Sequence, residues 1–200
     1  RPRGPTEITR ICDVRSVDYV DSSAEVPAWL NASGDLELRP VQVAALNAIR
    51  DAGGGFLPIG VGHGKSWLAC LAATALDKKL AIIMAPAGTL SQLRDTLADL
   101  SKHFDVRPAE LVSYAILSRP DKYTVLADLL EKHGLTSDQV VLVLDEAHRI
   151  RNQTAARTMR VINFAVKHPE LSVVAMSGTM TSKAIADMSH LSEMALRDQS

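Results

Sequence analysis

Residues 56–66 read FLPIGVGHGKS and carry the strongest indication of the fold. The apolar start of this stretch, Phe56–Ile59, predicts a short strand, and the residues that follow, Gly60–Gly64, predict a glycine-rich turn. A helix is then predicted over Lys65–Leu76. Glycines in such a turn let consecutive backbone N–H groups point at one anion, and the start of a helix adds its positive dipole end. The stretch therefore predicts a strand, a phosphate-binding loop and a helix in succession.

Two side chains complete the predicted nucleotide site. Lys65 can reach the β- and γ-phosphates of a nucleotide, and the hydroxyl of Ser66 can ligate Mg²⁺. The full phosphate-loop pattern G-x-x-x-x-G-K-[ST] would begin with a glycine where this chain has Ile59, but the shorter pattern G-x-G-K-[ST] is intact. The alternative is a glycine turn that merely precedes a helix. The predicted nucleotide-binding residues are Gly60, Val61, Gly62, His63, Gly64, Lys65 and Ser66.

Outward from this stretch, short apolar runs alternate with helical patterns. Further strands are predicted at Leu80–Ala85, Leu111–Ser113, Val140–Leu144 and Ser172–Met176. Helices are predicted from Pro40 to the glycines at 53–55, and over Ser23–Leu30, Thr89–Leu100, Asp121–His133, Asn152–Lys167 and Ser182–Leu196. This alternation predicts an α/β fold, a central parallel sheet with helices on both faces, and ligands beyond the carboxyl ends of the strands.

The apolar residues of the helices predict which side of each helix faces the sheet. The first helix presents Val41, Ala44, Ala45 and Ile49 at helical spacing. In the helix over Asn152–Lys167, the residues expected to point inward are Ala155, Met159, Ile162 and Val166.

Composition excludes several classes of protein. The chain has 200 residues, of which 46% are hydrophobic and 22% charged, so it can bury a core and is not a disordered chain. No apolar run approaches the roughly 20 residues of a membrane span. The net charge of −1 gives no global basic field, so nucleic acid would have to be bound by a local patch. Two cysteines, Cys12 and Cys70, cannot form a disulfide framework or a four-cysteine zinc site, and they suit a reducing cytosol. The start, RPRGP, lacks a methionine and a signal peptide, which leads us to expect a segment of a longer cytoplasmic protein.

A second functional string, Asp145-Glu146-Ala147-His148, follows the predicted strand Val140–Leu144. A carboxylate at the end of a buried strand is costly unless it interacts with a cation. Asp145 is therefore predicted to hold Mg²⁺ through its water shell, and Glu146 to orient and deprotonate an attacking water. The alternative, an acidic pair that caps the next helix, fits poorly because residues 147–150 intervene before that helix.

This string spells the DEAH box, and the chain resembles the superfamily 2 helicases and translocases. Three further strings are similar to motifs of that family and occur in the same order: the adenine-recognising segment (Arg39–Gln42), motif Ia (Pro86–Gln92) and motif III (Ser177-Gly178-Thr179). The strings Asp145–Asn152 (DEAHRIRN) and Val112–Ser118 (VSYAILS) look most like Snf-type translocases and related phage or bacterial DNA helicases.

The resemblance implies a role for several residues. Gln42 would recognise adenine, since its carboxamide matches the N6 donor and N7 acceptor of that base. Thr89 and Ser91 would contact the nucleic-acid backbone, although simple helix capping explains them equally well. Ser177, Gly178 and Thr179 would contact His148 and so couple the state of the nucleotide to the grip on nucleic acid. The alternatives are a solvated glutamine and an ordinary turn.

The resemblance implies a first RecA-like lobe over residues 36–200, preceded by a lead-in segment over residues 1–35. Its strand Ser172–Met176 would lie between the strand of the phosphate loop and the strand before Asp145. The implied ligands are ATP, Mg²⁺ and nucleic acid, with DNA favoured over RNA. The implied partner is a second RecA-like lobe, C-terminal to this chain, that supplies an arginine finger, so that this lobe alone would hydrolyse ATP slowly. A self-contained kinase or signalling NTPase, or a nucleotide sensor without activity, is the alternative.

Other polar and aromatic residues have simpler interpretations. The remaining histidines, at 103, 133, 168 and 190, lack the spacing of metal ligands. Cys70 is expected in the core. Arg149 and Arg151 could face phosphate or solvent, and Trp29 could stack on adenine, although packing is the simpler role.

Overall fold

The structure, a computed structural model, describes residues 30–31, 33–60, 62–178 and 189–195. Its strands are β1 (Gly55–Leu57), β2 (Leu80–Ala85), β3 (Ala109–Ser113), β4 (Val140–Leu144) and β5 (Ser172–Met176). Its α-helices are α1 (Pro40–Ala52), α2 (Lys65–Ala75), α3 (Leu90–Leu100), α4 (Val125–His133), α5 (Ala156–Lys167) and α6 (Ser189–Ala195). The helix predicted over Ser23–Leu30 lies outside the described residues except for Leu30, as does the first half of the helix predicted over Ser182–Leu196.

The five strands form one sheet in the order β1-β5-β4-β2-β3, and every pairing is parallel. The predicted α/β class is confirmed, and β5 lies between β1 and β4 as expected. Because all strands run the same way, the segments that follow β1, β4 and β5 meet at one edge of the sheet. These segments are the glycine-rich loop, the DEAH string and the Ser-Gly-Thr string.

Alternate residues of the central strands belong to two separate hydrophobic cores, one on each face of the sheet. On one face, Ile83, Val143 and Val174 join a cluster that includes buried residues of α1, α2 and α3. On the other face, Ile82 and Leu142 join a cluster with buried residues of α4, α5 and α6. Strands buried on both faces must be apolar throughout. The helices therefore cover both faces, as the alternation of runs predicts.

Several predicted boundaries differ from the structure for local reasons. β1 ends at Leu57 rather than at Ile59, because Pro58 has no N–H to donate to the ladder. The helix predicted over Asp121–His133 begins only at Val125, after a 3₁₀ turn at Pro120–Lys122. β3 begins two residues earlier than predicted, at Ala109.

On α1, Val41 and Ala44 are only half-buried. The buried residues there are Gln42, Val43, Ala45, Leu46 and Ile49.

The predicted inward face of the helix over Asn152–Lys167 is correct for Ile162, which packs against the core, but wrong for Met159 and Val166. Met159 and Val166 are 42% and 71% exposed, and the residues that face the core are Thr158, Val161, Phe164 and Ala165. The helix carries two apolar stripes at similar spacing, and packing against the sheet selects the one that contains Phe164. α5 also starts four residues later than predicted. The Asn152 side chain accepts hydrogen bonds from the backbone N–H and the hydroxyl of Thr154, and this local turn competes with the helix.

Within the described residues, no helix has the length and apolar character needed to cross a membrane.

Candidate nucleotide-binding and hydrolysis site

The glycine-rich turn lies between β1 and α2. Gly62 and Gly64 have left-handed backbones, with φ of 84° and 76°, which favour glycine. Gly64 precedes the first residue of α2, Lys65. A side chain at Gly64 would overlap the amide of Gln42, so this position also needs glycine for space. Val61 lies outside the described residues. The turn thus leads directly into a helix N-terminus, as a phosphate-binding loop requires.

The structure brings the turn and the DEAH string together through an ion pair. The Nζ of Lys65 donates to the Oε1 of Glu146 across 2.6 Å, although the two residues are 81 positions apart. The Lys65 side chain is only 11% exposed, and that of Glu146 is 25% exposed. β5 separates the strands that carry these segments, so the long lysine side chain spans the end of that strand.

Glu146 has an uncommon backbone. Its φ of 53° is left-handed, and the only other non-glycine residue with positive φ in the described part of the chain is Asp77. Such strain is concentrated at functional sites. Burial acts to raise the pKa of Glu146, but the hydrogen bond and charge of Lys65, the charge of His148 and a hydrogen bond from the Gly178 backbone together lower it. The Glu146 carboxylate is therefore ionised and held by a cation.

Asp145 differs sharply from its neighbour. Its side chain is buried, and its Oδ1 has no hydrogen-bond partner. Burial, followed by the charge of Glu146, raises the pKa of Asp145 against the opposing charge of Lys65. The backbone of Asp145 is fixed, because its N–H donates to the carbonyl of Met84 (2.8 Å) and its carbonyl accepts from the hydroxyl of Tyr114 (2.9 Å). A fixed buried carboxylate with an unmet oxygen fits a cation ligand.

In the described part of the chain, no three His, Cys, Asp or Glu side chains converge into a metal site.

His148 connects the DEAH string to the segment after β5. Its Nδ1 lies 3.3 Å from the Oγ of Ser177 and 3.2 Å from the Oε2 of Glu146. The N–H of Ser177 donates to the carbonyl of Leu57 at the end of β1. Burial lowers the pKa of His148, as do the charges of Arg149, Lys65 and Arg151, while Glu146 opposes them. The predicted contact between His148 and Ser177 is present, whereas Thr179 lies outside the described residues.

Gln42 lies beside the glycine-rich turn but is buried. Its Oε1 accepts from the N–H of Arg39 (2.8 Å), and its Nε2 donates to the carbonyl of Gly64 (3.3 Å). Both ends of the carboxamide therefore have partners within the protein. The alternative of a solvated glutamine is wrong, and the role in adenine recognition stays a prediction.

Thr89 and Ser91 lie after β2, at the same edge of the sheet. The hydroxyl of Thr89 donates to the carbonyl of Pro86 (2.9 Å), and no side chain caps the helix that begins at Leu90. Ser91 is exposed. The capping interpretation is therefore wrong for Thr89, while the contact with nucleic acid stays a prediction.

Two arginines of α5 donate hydrogen bonds to backbone carbonyls of neighbouring segments, and the sequence does not predict these contacts. The Nε of Arg157 donates to the carbonyl of Arg149 (3.0 Å). The Nη1 of Arg160 donates to the carbonyls of Leu117 and Arg119 (both 2.7 Å). Arg149 and Arg151 are exposed. The sequence carries no signal for these contacts, because they join α5 to segments up to 43 residues away.

The structure also describes other side chains that the sequence singles out, and Cys70 lies in the core as expected. Cys70 is buried, and burial, followed by the charge of Asp145, raises its pKa to about 12. Its thiol is therefore protonated and inert. His63 is exposed on the turn. His190 is buried and lies 3.0 Å from the carbonyl of Ile150. Trp29 lies outside the described residues.

Comparison with known families gave a match that includes every segment of this site. Residues 39–188 match the family model described as "DEAD/DEAH box helicase". A search of curated proteins found no significant match.

Proposed function

This chain belongs to the DEAD/DEAH box helicase family, and within it we propose that the chain is the ATP-binding lobe of a DEAH-type DNA helicase or translocase. Family membership supports an ATP-dependent helicase domain with a RecA-like fold that acts on nucleic acid. The proposal adds three points: coupling of Mg-ATP hydrolysis to movement, a preference for DNA, and the roles of individual residues.

The observation that carries the proposal is the ion pair between Lys65 and Glu146 beside the unmet Oδ1 of Asp145. A cation from the phosphate loop and a carboxylate from the DEAH string hold each other at one edge of the sheet. Together, this cation and this carboxylate supply two functions that a hydrolysis site needs. Lys65 can neutralise phosphate charge, and Glu146 can accept a proton from water.

The pair also explains how the site can be controlled by its substrate. With Lys65 bound to it, the carboxylate of Glu146 has a lowered pKa and is a weak base. A triphosphate in the loop competes for the ammonium of Lys65. When Lys65 moves to the phosphates, Glu146 loses that partner, its pKa rises and it becomes the better base. Glu146 would therefore become an effective base only when the nucleotide is bound.

Ser66 and Asp145 are the residues that would hold Mg²⁺. The hydroxyl of Ser66 lies in the first turn of α2, and Asp145 offers the buried oxygen without a partner. When bound, the ion supplies charge neutralisation at the phosphates. The loop from Gly60 to Gly64, with Val61 and His63 contributing backbone groups, would bind the phosphates, and Gln42 would face the base.

Coupling to nucleic acid would run through the contact between His148 and Ser177, with Gly178 and Thr179 in the same segment. His148 contacts both Glu146 and Ser177, so a movement of the Glu146 carboxylate would be transmitted to the segment that follows β5. The proposed preference for DNA rests on the resemblance of the segment Val112–Ser118 to Snf-type proteins. Tyr114 of this segment donates to the carbonyl of Asp145, which connects the segment to the DEAH string.

Nucleic acid would lie along the same edge of the sheet. Thr89 and Ser91 are predicted to contact its backbone, and the exposed Arg149 and Arg151 add positive charge there. With a net charge of −1, binding by this lobe alone should be weak and sensitive to salt. A second RecA-like lobe would supply the arginine finger, which contributes about 10³–10⁵ to the rate in related phosphoryl transfer.

The test compares ATP hydrolysis by the full-length protein with DNA, with RNA of the same sequence and without nucleic acid. We expect slow basal hydrolysis and strong stimulation by DNA. Glu146→Gln should abolish stimulated hydrolysis while preserving ATP binding, because it removes the base and keeps its shape. Arg94→Gln, an exposed change on the outer side of α3, is the matched control and should leave hydrolysis unchanged.

Rapid hydrolysis by this chain that no nucleic acid changes would contradict the two-lobe mechanism. It would instead favour the self-contained NTPase, an alternative that the family match does not favour. Stimulation by RNA alone would contradict the preference for DNA.

A further inference from the structure

A small cavity opens beside the phosphate loop. Its volume is about 180 Å³, and its lining residues are Glu37, Arg39, Gln42, Gly62, Gly64 and Trp67. It is smaller than the roughly 300–1,000 Å³ of pockets for drug-sized ligands, and it therefore suits one flat ring system. The Nη1 of Arg39 donates to the carbonyl of Gly62 (2.9 Å), so the polar side of the cavity is already hydrogen-bonded.

Trp67 is the one aromatic side chain among these lining residues. It is the third residue of α2, two positions after Lys65. Its backbone N–H donates to the carbonyl of Gly64 (3.0 Å). The start of the helix thus sets the ring beside the phosphate loop. An edge-to-face contact with Phe104, at 6.5 Å between ring centroids and 63° between planes, supports the indole from the core side.

The indole is not fully buried, although its neighbours on α2 from Leu68 to Ala75 are. Trp67 also lines a second cavity of about 300 Å³, together with Leu36, Thr96 and His103. It therefore forms a wall between two open spaces and presents apolar surface to both. A large aromatic ring left partly open beside a polar loop is typical of a surface that a ligand covers.

The hydrogen bonds of Gln42 strengthen this point. Each end of its carboxamide has one partner in the protein, which leaves one lone pair and one N–H that can pair with the edge of a base. A carboxamide held in this way offers polar contacts to a base and no apolar surface. Apolar contact with the base must then come from another lining residue. Trp67 is the residue that can supply it.

We propose that the indole of Trp67 packs against the nucleobase of the bound nucleotide and contributes much of the affinity for the base. This inference rests on the proposed ATP site but assigns a residue outside its sequence motifs. Aromatic stacking on a base contributes about tenfold or more in affinity. Because every base has an aromatic face, Trp67 should strengthen binding of all nucleotides and leave the choice of base to polar contacts.

The experiment measures, by calorimetry, the affinity of the chain for ATP and for inorganic tripolyphosphate. Trp67→Ala should weaken ATP binding about tenfold and leave tripolyphosphate binding unchanged, since only ATP carries a base. Trp67→Phe should recover most of the loss, because a smaller aromatic ring remains. Tyr123→Ala removes an aromatic ring that is 71% exposed and lies outside the cavity, and it should change neither affinity.

Fluorescence gives an independent readout. The sequence has two tryptophans, so Trp29→Phe leaves Trp67 as the only one. ATP should quench its emission strongly, whereas tripolyphosphate should change it little.

The outcomes separate this inference from the proposed function. Unchanged ATP affinity in Trp67→Ala would overturn the inference and leave the ATP site standing. Equal loss of ATP and tripolyphosphate binding would show that Trp67 only supports the loop, and would also overturn it. No binding of ATP by the unmodified chain would overturn the proposed function itself, and the inference with it.

Discussion

Two polar clusters lie at opposite ends of β4 and β5, and they differ in how completely their members satisfy one another. The amino-end cluster consists of Ser137, His168 and Glu170, just before the two strands. The hydroxyl of Ser137 donates to Glu170, and the Nδ1 of His168 lies 3.1 Å from the same hydroxyl. No side-chain oxygen or nitrogen of these three residues is both buried and without a partner.

The carboxyl-end cluster consists of Lys65, Asp145, Glu146, His148 and Ser177. It holds an ion pair, a left-handed glutamate backbone and a buried carboxylate oxygen with no partner. The left-handed backbone and the oxygen without a partner cost stability when nothing is bound. The amino-end cluster therefore stabilises the fold, whereas the carboxyl-end cluster keeps a buried carboxylate oxygen that a bound ligand or ion can satisfy.

The largest expected effect is at the carboxyl end. Lys65→Ala should weaken ATP binding at least 100-fold, equal to about 2.7 kcal/mol, because it removes the ammonium that neutralises the phosphates. Circular dichroism should show an unchanged fold, since no core volume is lost. Calorimetry measures the affinity, and an unchanged value would show that the loop does not bind phosphate.

The matched change at the amino end should affect stability instead. Ser137→Ala should lower the free energy of unfolding by about 1 kcal/mol, because it removes the hydrogen bonds of a buried hydroxyl, while its partners His168 and Glu170 remain accessible to water. Urea unfolding measures this loss. ATP affinity should stay within twofold, and a larger change would mean that the two ends of the strands communicate.

Asp145→Asn should have the opposite sign. Because burial raises the pKa of Asp145, the folded chain binds its proton more tightly than the unfolded chain does. Its charged form therefore opposes folding, and this opposition grows as pH rises through the folded pKa. Asn is neutral, so without nucleotide the variant should be more stable than the original chain at pH 7, by about 1 kcal/mol.

The same variant should bind Mg-ATP less tightly. Urea unfolding at pH 7 and near pH 4 checks the stability, since the advantage should shrink at the lower pH. Lower stability of the variant at pH 7 would show that the charged carboxylate already has a cationic partner in the fold.

The smallest effect is expected at the coupling contact. Ser177→Ala removes a hydroxyl that lies 3.3 Å from the Nδ1 of His148, and it should cost about 0.5 kcal/mol with ATP affinity unchanged. The largest cause that lowers the pKa of His148 is burial, so this pKa should stay below 6.5 in the variant. NMR titration of the imidazole measures it. A rise to 6.5 or above would show that Ser177, rather than burial, keeps His148 neutral.

Much of the fold could be predicted because its signals are local. The predicted bounds of Leu80–Ala85, Val140–Leu144 and Ser172–Met176 agree with the observed strands, since strands buried on both faces are continuously apolar. The helix over Asn152–Lys167 shows where this signal fails. Its two apolar stripes are equivalent in the sequence, and only the sheet beneath it decides which one is buried.

The candidate site shows the same division. The glycine turn with Lys65 and the acidic pair at 145–146 could be identified as separate strings, because each places its chemistry at one strand end. Trp67 is partly exposed beside the loop, but in the sequence it looks like an ordinary apolar residue of a helix. Its exposure depends on Phe104 and the neighbouring cavities, which no local pattern encodes.

The α/β class, the order of the functional strings and the residue types at each strand end follow from local sequence, because backbone preference and hydrophobic periodicity act over a few neighbours. Three features depend on the folded arrangement: Lys65 pairs with Glu146, one oxygen of Asp145 has no partner, and each end of Gln42 has a hydrogen bond within the protein. These are contacts and desolvation effects between segments up to 81 residues apart, and they arise only when the parallel strands bring their carboxyl ends to one edge.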